Sequence, residues 1–247
     1  MPSLKRLLNP VKTDFVRICK ANELILDYSL NRKETAILRD IFEARAYSGY
    51  FPFYQKNTIF DIGAHYGYFS LFAWKNSGPG SVIFAFEPDS DNFKALSHNL
   101  EKNKAGNIHP FNMAVGAANE ISKLYKGESP NNSLLPDYSL TKGSRFTEIE
   151  TRTLAQIIGK NNIERIDFLK MDCEGSEYMI LETLPDEVYN IVTTISMEFH
   201  DLKSHKYNGN FMVSLLRKHR FEIVYYTYDH TSMGLNYGRI IATKALY

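Results

Sequence analysis

The stretch Asp61-Ile62-Gly63-Ala64-His65-Tyr66-Gly67 decides the fold. It follows a short apolar run at 58–62 and opens a segment of helical period at 68–77. Glycines at a strand-to-helix turn let the backbone approach a ligand closely, and a helix N-terminus favours anionic groups. A dinucleotide site wants G-x-G-x-x-G, whose second glycine admits a pyrophosphate. His65 stands at that second position. The turn therefore suits a nucleoside ligand with a small carboxylate and amine, such as S-adenosylmethionine, better than a dinucleotide. Asp61, at the end of its strand, is placed to accept from the amine.

Working outward, the next apolar run, 82–87, ends in Phe86-Glu87-Pro88. Glu87 lies 20 positions after Gly67. That offset suits an acidic residue accepting both hydroxyls of a ribose. Further apolar runs at 108–115, 166–171, 191–199, 221–228 and 239–243 alternate with helix-period segments at 91–104, 153–160, 176–184 and 209–219. Continuous apolar strands alternating with helices predict an α/β fold with a mostly parallel, doubly covered sheet. Only about ten residues, rich in turn formers, separate the last two runs, so they pair as an antiparallel hairpin. Residues 116–150 break the alternation with Asn131, Asn132, Ser133, Pro136 and Gly143, and read as a long loop. A loop this long is a candidate lid at 117–150, with 131–145 closing over the site. The alternative is a surface insertion. Before the sheet, 12–30 reads as a strand or hairpin. Ile37, Leu38, Ile41 and Phe42 have helical spacing. Residues 1–56 are thus an extension packed on a main domain at 57–247.

Composition narrows the class. The chain has 247 residues, 44% hydrophobic and 23% charged, with 29 basic against 28 acidic side chains. Collagen-like and disordered chains are excluded, and a net charge of +1 argues against a global grip on nucleic acid. Cys19 and Cys173 make no disulfide framework or zinc motif, which suits a reducing, cytoplasmic setting. No run approaches the ~18 apolar residues of a membrane span.

A second cluster carries the chemistry. Asp172, Glu174 and Glu177 follow the run at 166–171, and Glu198 and His200 end the run at 191–199. Ligands of open α/β sheets bind beyond the carboxyl ends of the strands, and a strand period of two puts Glu198 and His200 on one face. His200 has the unperturbed pKa of a base for a hydroxyl acceptor. Alternatively, Asp172, Glu198 and His200 hold Mg²⁺ or a similar ion, or the cluster only caps helices and fixes loops. Glu177, in the first turn of a helix, reads as structural. Cys173 lies between acidic residues, which raises a thiol's pKa, so it is no nucleophile.

Asp61–Ser70, Phe86-Glu87-Pro88, 112–116, Lys170-Met-Asp172-Cys-Glu174-Gly175-Ser-Glu177 and Glu198-Phe-His200 resemble the FkbM family of S-adenosylmethionine-dependent methyltransferases over about 57–243. The resemblance implies a Rossmann-like class I methyltransferase fold. Its seven-stranded sheet has order 3-2-1-4-5-7-6, the last strand is antiparallel, and helices cover both faces. It also implies a cofactor site of Asp61, Gly63, Ala64, His65, Gly67, Tyr68, Glu87, Pro88, Asn112 and Asp172. Asp172, Glu174, Glu198 and His200 are the catalytic candidates. The implied acceptor is a hydroxyl of a sugar, glycan or natural product. A nucleic-acid acceptor is disfavoured, because Asp172-Cys-Glu174-Gly175 would repel phosphates. A dinucleotide oxidoreductase and a non-catalytic Rossmann-like binding module are the other readings.

Overall fold

The computed structural model describes residues 10–27, 34–49, 51, 53, 55–127, 132–136, 145–202, 204, 206–230 and 236–244. Helices α1 (Pro10–Ala21) and α2 (Thr35–Phe42) precede the sheet. Then come β1 (Thr58–Ile62), α3 (Tyr68–Asn76), β2 (Val82–Phe86), α4 (Ser90–Asn103), β3 (Ile108–Phe111), β4 (Ala114–Val115), β5 (Glu120–Tyr125) and β6 (Phe146–Arg152). The second half holds α5 (Leu154–Lys160), β7 (Ile166–Met171), α6 (Glu177–Glu182), α7 (Asp186–Ile191), β8 (Val192–His200), α8 (Gly209–Lys218), β9 (Glu222–Tyr226), β10 (Asp229–His230) and β11 (Asn236–Thr243).

The main sheet runs β3-β2-β1-β7-β8-β11, with β9 and β10 both paired to β11. Pairings from β3 through β8 are parallel, and β11 is antiparallel to β8 and β9. This is the expected order and hand of the class I methyltransferase sheet. The central strands are apolar on both faces because helices cover both. Phe60, Phe86, Leu169 and Met197 pack on the α5–α8 side. Ile59, Ile83 and Phe168 pack on the side of α1–α4. Local signals set the helix starts: the Asp89 side chain accepts from the amides of Asp91 and Asn92 at α4, and Asn208 from Phe211 at α8.

Three expectations need correction. Residues 10–21 form a helix, not a strand or hairpin. Phe15, Ile18 and Cys19 are its buried residues, and their spacing of three and one is helical. The run at 108–115 is two strands. Asn112 interrupts it by donating to the carbonyls of Glu87 and Pro88 at 2.9 and 3.1 Å, and β4 leaves for a second sheet. Residues 117–150 are not one loop. β5 and β6 form an antiparallel pair there, joined by β4 in the order β4-β6-β5 over Ala114, Leu124 and Ile149. Within the proposed closing segment, Asn131 and residues 137–144 lie outside the described residues.

Candidate active site

A cleft of about 630 Å³, open to solvent, lies at the carboxyl ends of β1, β2, β4 and β7. Of the residues named from sequence, Gly63, His65, Glu87, Pro88, Asp172 and Glu174 line it. Met113 and Leu134 add apolar wall.

The glycine turn works differently from its sequence reading. Gly63 has φ +74°, and a Cβ there would lie 1.8 Å from the carbonyl oxygen of Asp172. Gly67 has φ +80°, and its Cβ would lie 2.4 Å from Leu96 Cδ1. The missing side chains make room for the backbone that follows β7 at Gly63 and for helix α4 at Gly67. The amides of Gly63 and Ala64 already donate to the carbonyl of Phe86, at 3.0 and 2.9 Å. Asp61 does not line the cleft. It is fully buried, with one oxygen accepting from Ser70 Oγ at 2.6 Å and the other 3.1 Å from Lys170 Nζ. Tyr68 is 2% exposed and packed in the core. Asn112 is exposed and pins the backbone of Glu87 and Pro88.

The Glu87 carboxylate on the cleft wall is held at both oxygens. Its Oε2 accepts from the His65 amide at 2.8 Å, and its Oε1 from the Asp89 amide at 2.9 Å and Asn92 Nδ2 at 3.3 Å. Burial outweighs these bonds and pushes its carboxyl up to about 7. His65 sits in the left-handed region at φ +51°, its ring stacked on Tyr66, and burial beside Lys170 drops its pKa to about 3. His65 is therefore neutral at physiological pH.

The acidic cluster assembles as the sequence suggests. His200 Nε2 lies 3.6 Å from both Glu174 Oε2 and Glu198 Oε1, and Nδ1 lies 3.8 Å from Glu177 Oε1. Glu177 is structural: its two oxygens accept the amides of Cys173 and Gly175 at 2.7 and 2.9 Å. Burial alone would lower the pKa of His200, but the facing carboxylates of Glu177, Glu198 and Glu174 reverse that and raise it well above its usual value. The three carboxylates thus favour the protonated imidazole, against its reading as a base with an unperturbed pKa. Asp172 moves up, chiefly from burial and the facing charge of Glu198. Burial and Glu177 raise the Cys173 thiol, as expected for an inert cysteine. Among the described residues, Asp172, Glu174 and His200 each bring one donor atom to within 4.8 Å of the others, a spacing that suits a divalent cation once the imidazole sheds its proton.

Three neighbours were missed from sequence. Lys170 pairs with Asp61 and donates to the Gly63 carbonyl at 2.7 Å. Arg239 Nε donates to Glu198 Oε2 at 3.0 Å. Tyr47 OH donates to Asp172 Oδ2 at 2.8 Å. A charged residue inside an apolar strand was a signal for Lys170 and Arg239, whereas Tyr47 carried none. The described part of 117–150 reaches the cleft: Ser133 Oγ donates to the Glu174 carbonyl at 2.6 Å and Asn132 Nδ2 to Asp89 Oδ2 at 3.0 Å. Among the described residues no helix is long and apolar enough to cross a membrane.

The methyltransferase FkbM domain matches residues 61–223. "Methyltransferase 1" of Beauveria bassiana is 25% identical over 185 residues, covering 68% of this chain and 74% of that relative. The 31-O-demethyl-FK506 methyltransferase FkbM of Streptomyces tacrolimicus is 27% identical over 216 residues, covering 76% and 82%. A solved FkbM methyltransferase from Methylobacillus flagellatus superposes with a TM-score of 0.51 at 15% identity, covering 94% of this chain and 60% of that one. With more than half of this chain matched by the domain and the class I sheet observed, the chain belongs to the FkbM family of S-adenosylmethionine-dependent methyltransferases.

Proposed function

We propose that the protein transfers a methyl group from S-adenosylmethionine to a hydroxyl of a sugar, glycan or natural product. The observation that carries this reading is Glu87: a buried carboxylate on the cleft wall whose pKa stays raised despite its bonds to His65, Asp89 and Asn92. A group in that state gains from further donors, and a ribose diol supplies two. Bound S-adenosylmethionine supplies a methyl group already activated on a sulfonium. Glu87 holds the ribose. Asp172, raised by burial and by Glu198, takes the hydroxyl proton as the oxygen–methyl bond forms and the sulfur–methyl bond breaks. His200, as a cation, orients Glu174 and Glu198 rather than abstracting a proton. The acidic rim suits a neutral hydroxyl better than a polyanion. The Streptomyces relative, named for an O-demethylated natural product, supports the acceptor class.

In this reading the described part of residues 1–56 is an extension packed on a methyltransferase domain assigned to 57–247. Part of 117–150 is the lid, tied to the site through Asn132 and Ser133. A cytoplasmic location suits the free Cys19 and Cys173. The test is methyl-labelled S-adenosylmethionine offered with a panel of polyhydroxylated small molecules, glycans and tRNA. Label in a methyl ether supports the reading. Label only in tRNA rejects it, and donor binding without transfer to any acceptor favours a non-catalytic binder.

A further inference from the structure

Tyr47 lies outside the matched FkbM domain, after α2, yet it sits at the carboxylate wall of the cleft. It is 7% exposed. Its ring packs edge-on to Phe69 at 5.9 Å, and its carbonyl accepts from Ser196 Oγ of β8 at 2.9 Å. Lys170 Nζ lies 5.3 Å and the Arg239 guanidinium 5.6 Å from the ring centre. These contacts fix the phenol so that its hydroxyl meets Asp172 Oδ2 and not Oδ1. Packing alone does not need that hydroxyl, since a phenylalanine would make the same ring contacts.

We propose that Tyr47 is a positioning residue: by donating to one oxygen of Asp172, it keeps the other turned to the cleft, so that the segment before the family domain completes the active site. This rests on the reading above, with Asp172 also facing the bound donor as the sequence resemblance implies. Asp172 is faced by Glu198, Lys170 and His200 as well as by Tyr47. Removing the phenol oxygen frees the carboxylate to turn toward Lys170 and away from the donor.

The test is a double-mutant cycle of Tyr47→Phe and Asp172→Asn, read by calorimetry with S-adenosylhomocysteine. Tyr47→Phe should weaken binding about tenfold, the equivalent of ~1.4 kcal/mol, through the turned Asp172 carboxylate. In the Asp172→Asn background it should weaken it no further. Proton NMR adds a readout that needs no ligand. The buried phenol hydroxyl should give a downfield, slowly exchanging resonance that Asp172→Asn shifts upfield or abolishes in a folded protein, and this holds even where Tyr47→Phe fails to fold. Losses that add across the cycle, or a phenol resonance unchanged in Asp172→Asn, overturn the role of Tyr47. Absence of binding by the unaltered protein rejects the donor reading itself.

Discussion

Lowering the pH from 8 to 6 should weaken S-adenosylhomocysteine binding about tenfold, through Glu87. Burial pushes its carboxyl up to about 7, against the bonds from His65 and Asn92. Two ribose hydroxyls bind best to an ionised carboxylate, because the protonated form is itself a donor. With a pKa of about 7, roughly 9% of the sites are ionised at pH 6 and roughly 91% at pH 8. Apparent affinity scales with the competent fraction, which gives about a tenfold change, or ~1.4 kcal/mol. His65 does not titrate in this window, since its pKa has fallen to about 3. The assay is calorimetry at pH 6, 7 and 8 on the unaltered protein and on Glu87→Gln. The variant should bind weakly with little pH dependence. Its amide also sets an N–H₂ against the His65 or Asp89 amide, costing about 1–3 kcal/mol of stability, so its unfolding is checked alongside. A flat profile in the unaltered protein, or the same slope in Glu87→Gln, refutes the assignment.

Stability carries the same signature with its own sign. The folded Glu87 carboxyl holds its proton more tightly than the unfolded chain does. Its stabilising contribution is therefore full below about 4.5 and lost as pH rises to about 7, on the order of 3 kcal/mol. Thermal scans of the ligand-free protein should show a steeper fall across this window than scans of Glu87→Gln. His200→Ala should cost roughly 3–5 kcal/mol by leaving Glu174, Glu177 and Glu198 without their shared cation. That cost is fully present below the usual histidine pKa of 6.5 and fades as pH rises through the raised folded value, so an equal loss at acid and alkaline pH would contradict a cationic His200. Gly63→Ala should destabilise by about 3 kcal/mol or more, a fall of roughly 6–12 °C in Tm, because its Cβ would meet the Asp172 carbonyl and its φ is +74°. A melting temperature unchanged within a degree or so would show that the two strands do not close on this glycine.

Much of the fold was legible because the sheet strands are apolar runs and their helices begin at polar caps such as Asp89 and Asn208. Glu87, Glu174 and His200 were legible because strand ends and period place them. Function of the glycines was not, because spacing identifies a close approach but not what approaches: at Gly63 it is the backbone of Asp172. Protonation of His200 was not legible either, since it depends on three carboxylates converging from two strand ends. Tyr47 reaches Asp172 across 125 positions of sequence, a contact that only the packing of the N-terminal segment creates. In residues 10–21, a mixed run of charged and apolar residues hid a helix whose buried face is only Phe15, Ile18 and Cys19.

On the proposed reading, the donor lies between Glu87 and Asp172 with its reactive end toward the His200 cluster. A crystal structure of the protein with S-adenosylhomocysteine tests it most directly. Both ribose hydroxyls should lie on the Glu87 carboxylate and the sulfur beside Asp172. A ligand whose ribose leaves Glu87 unoccupied, or whose sulfur faces away from Asp172, Glu174 and His200, would contradict it.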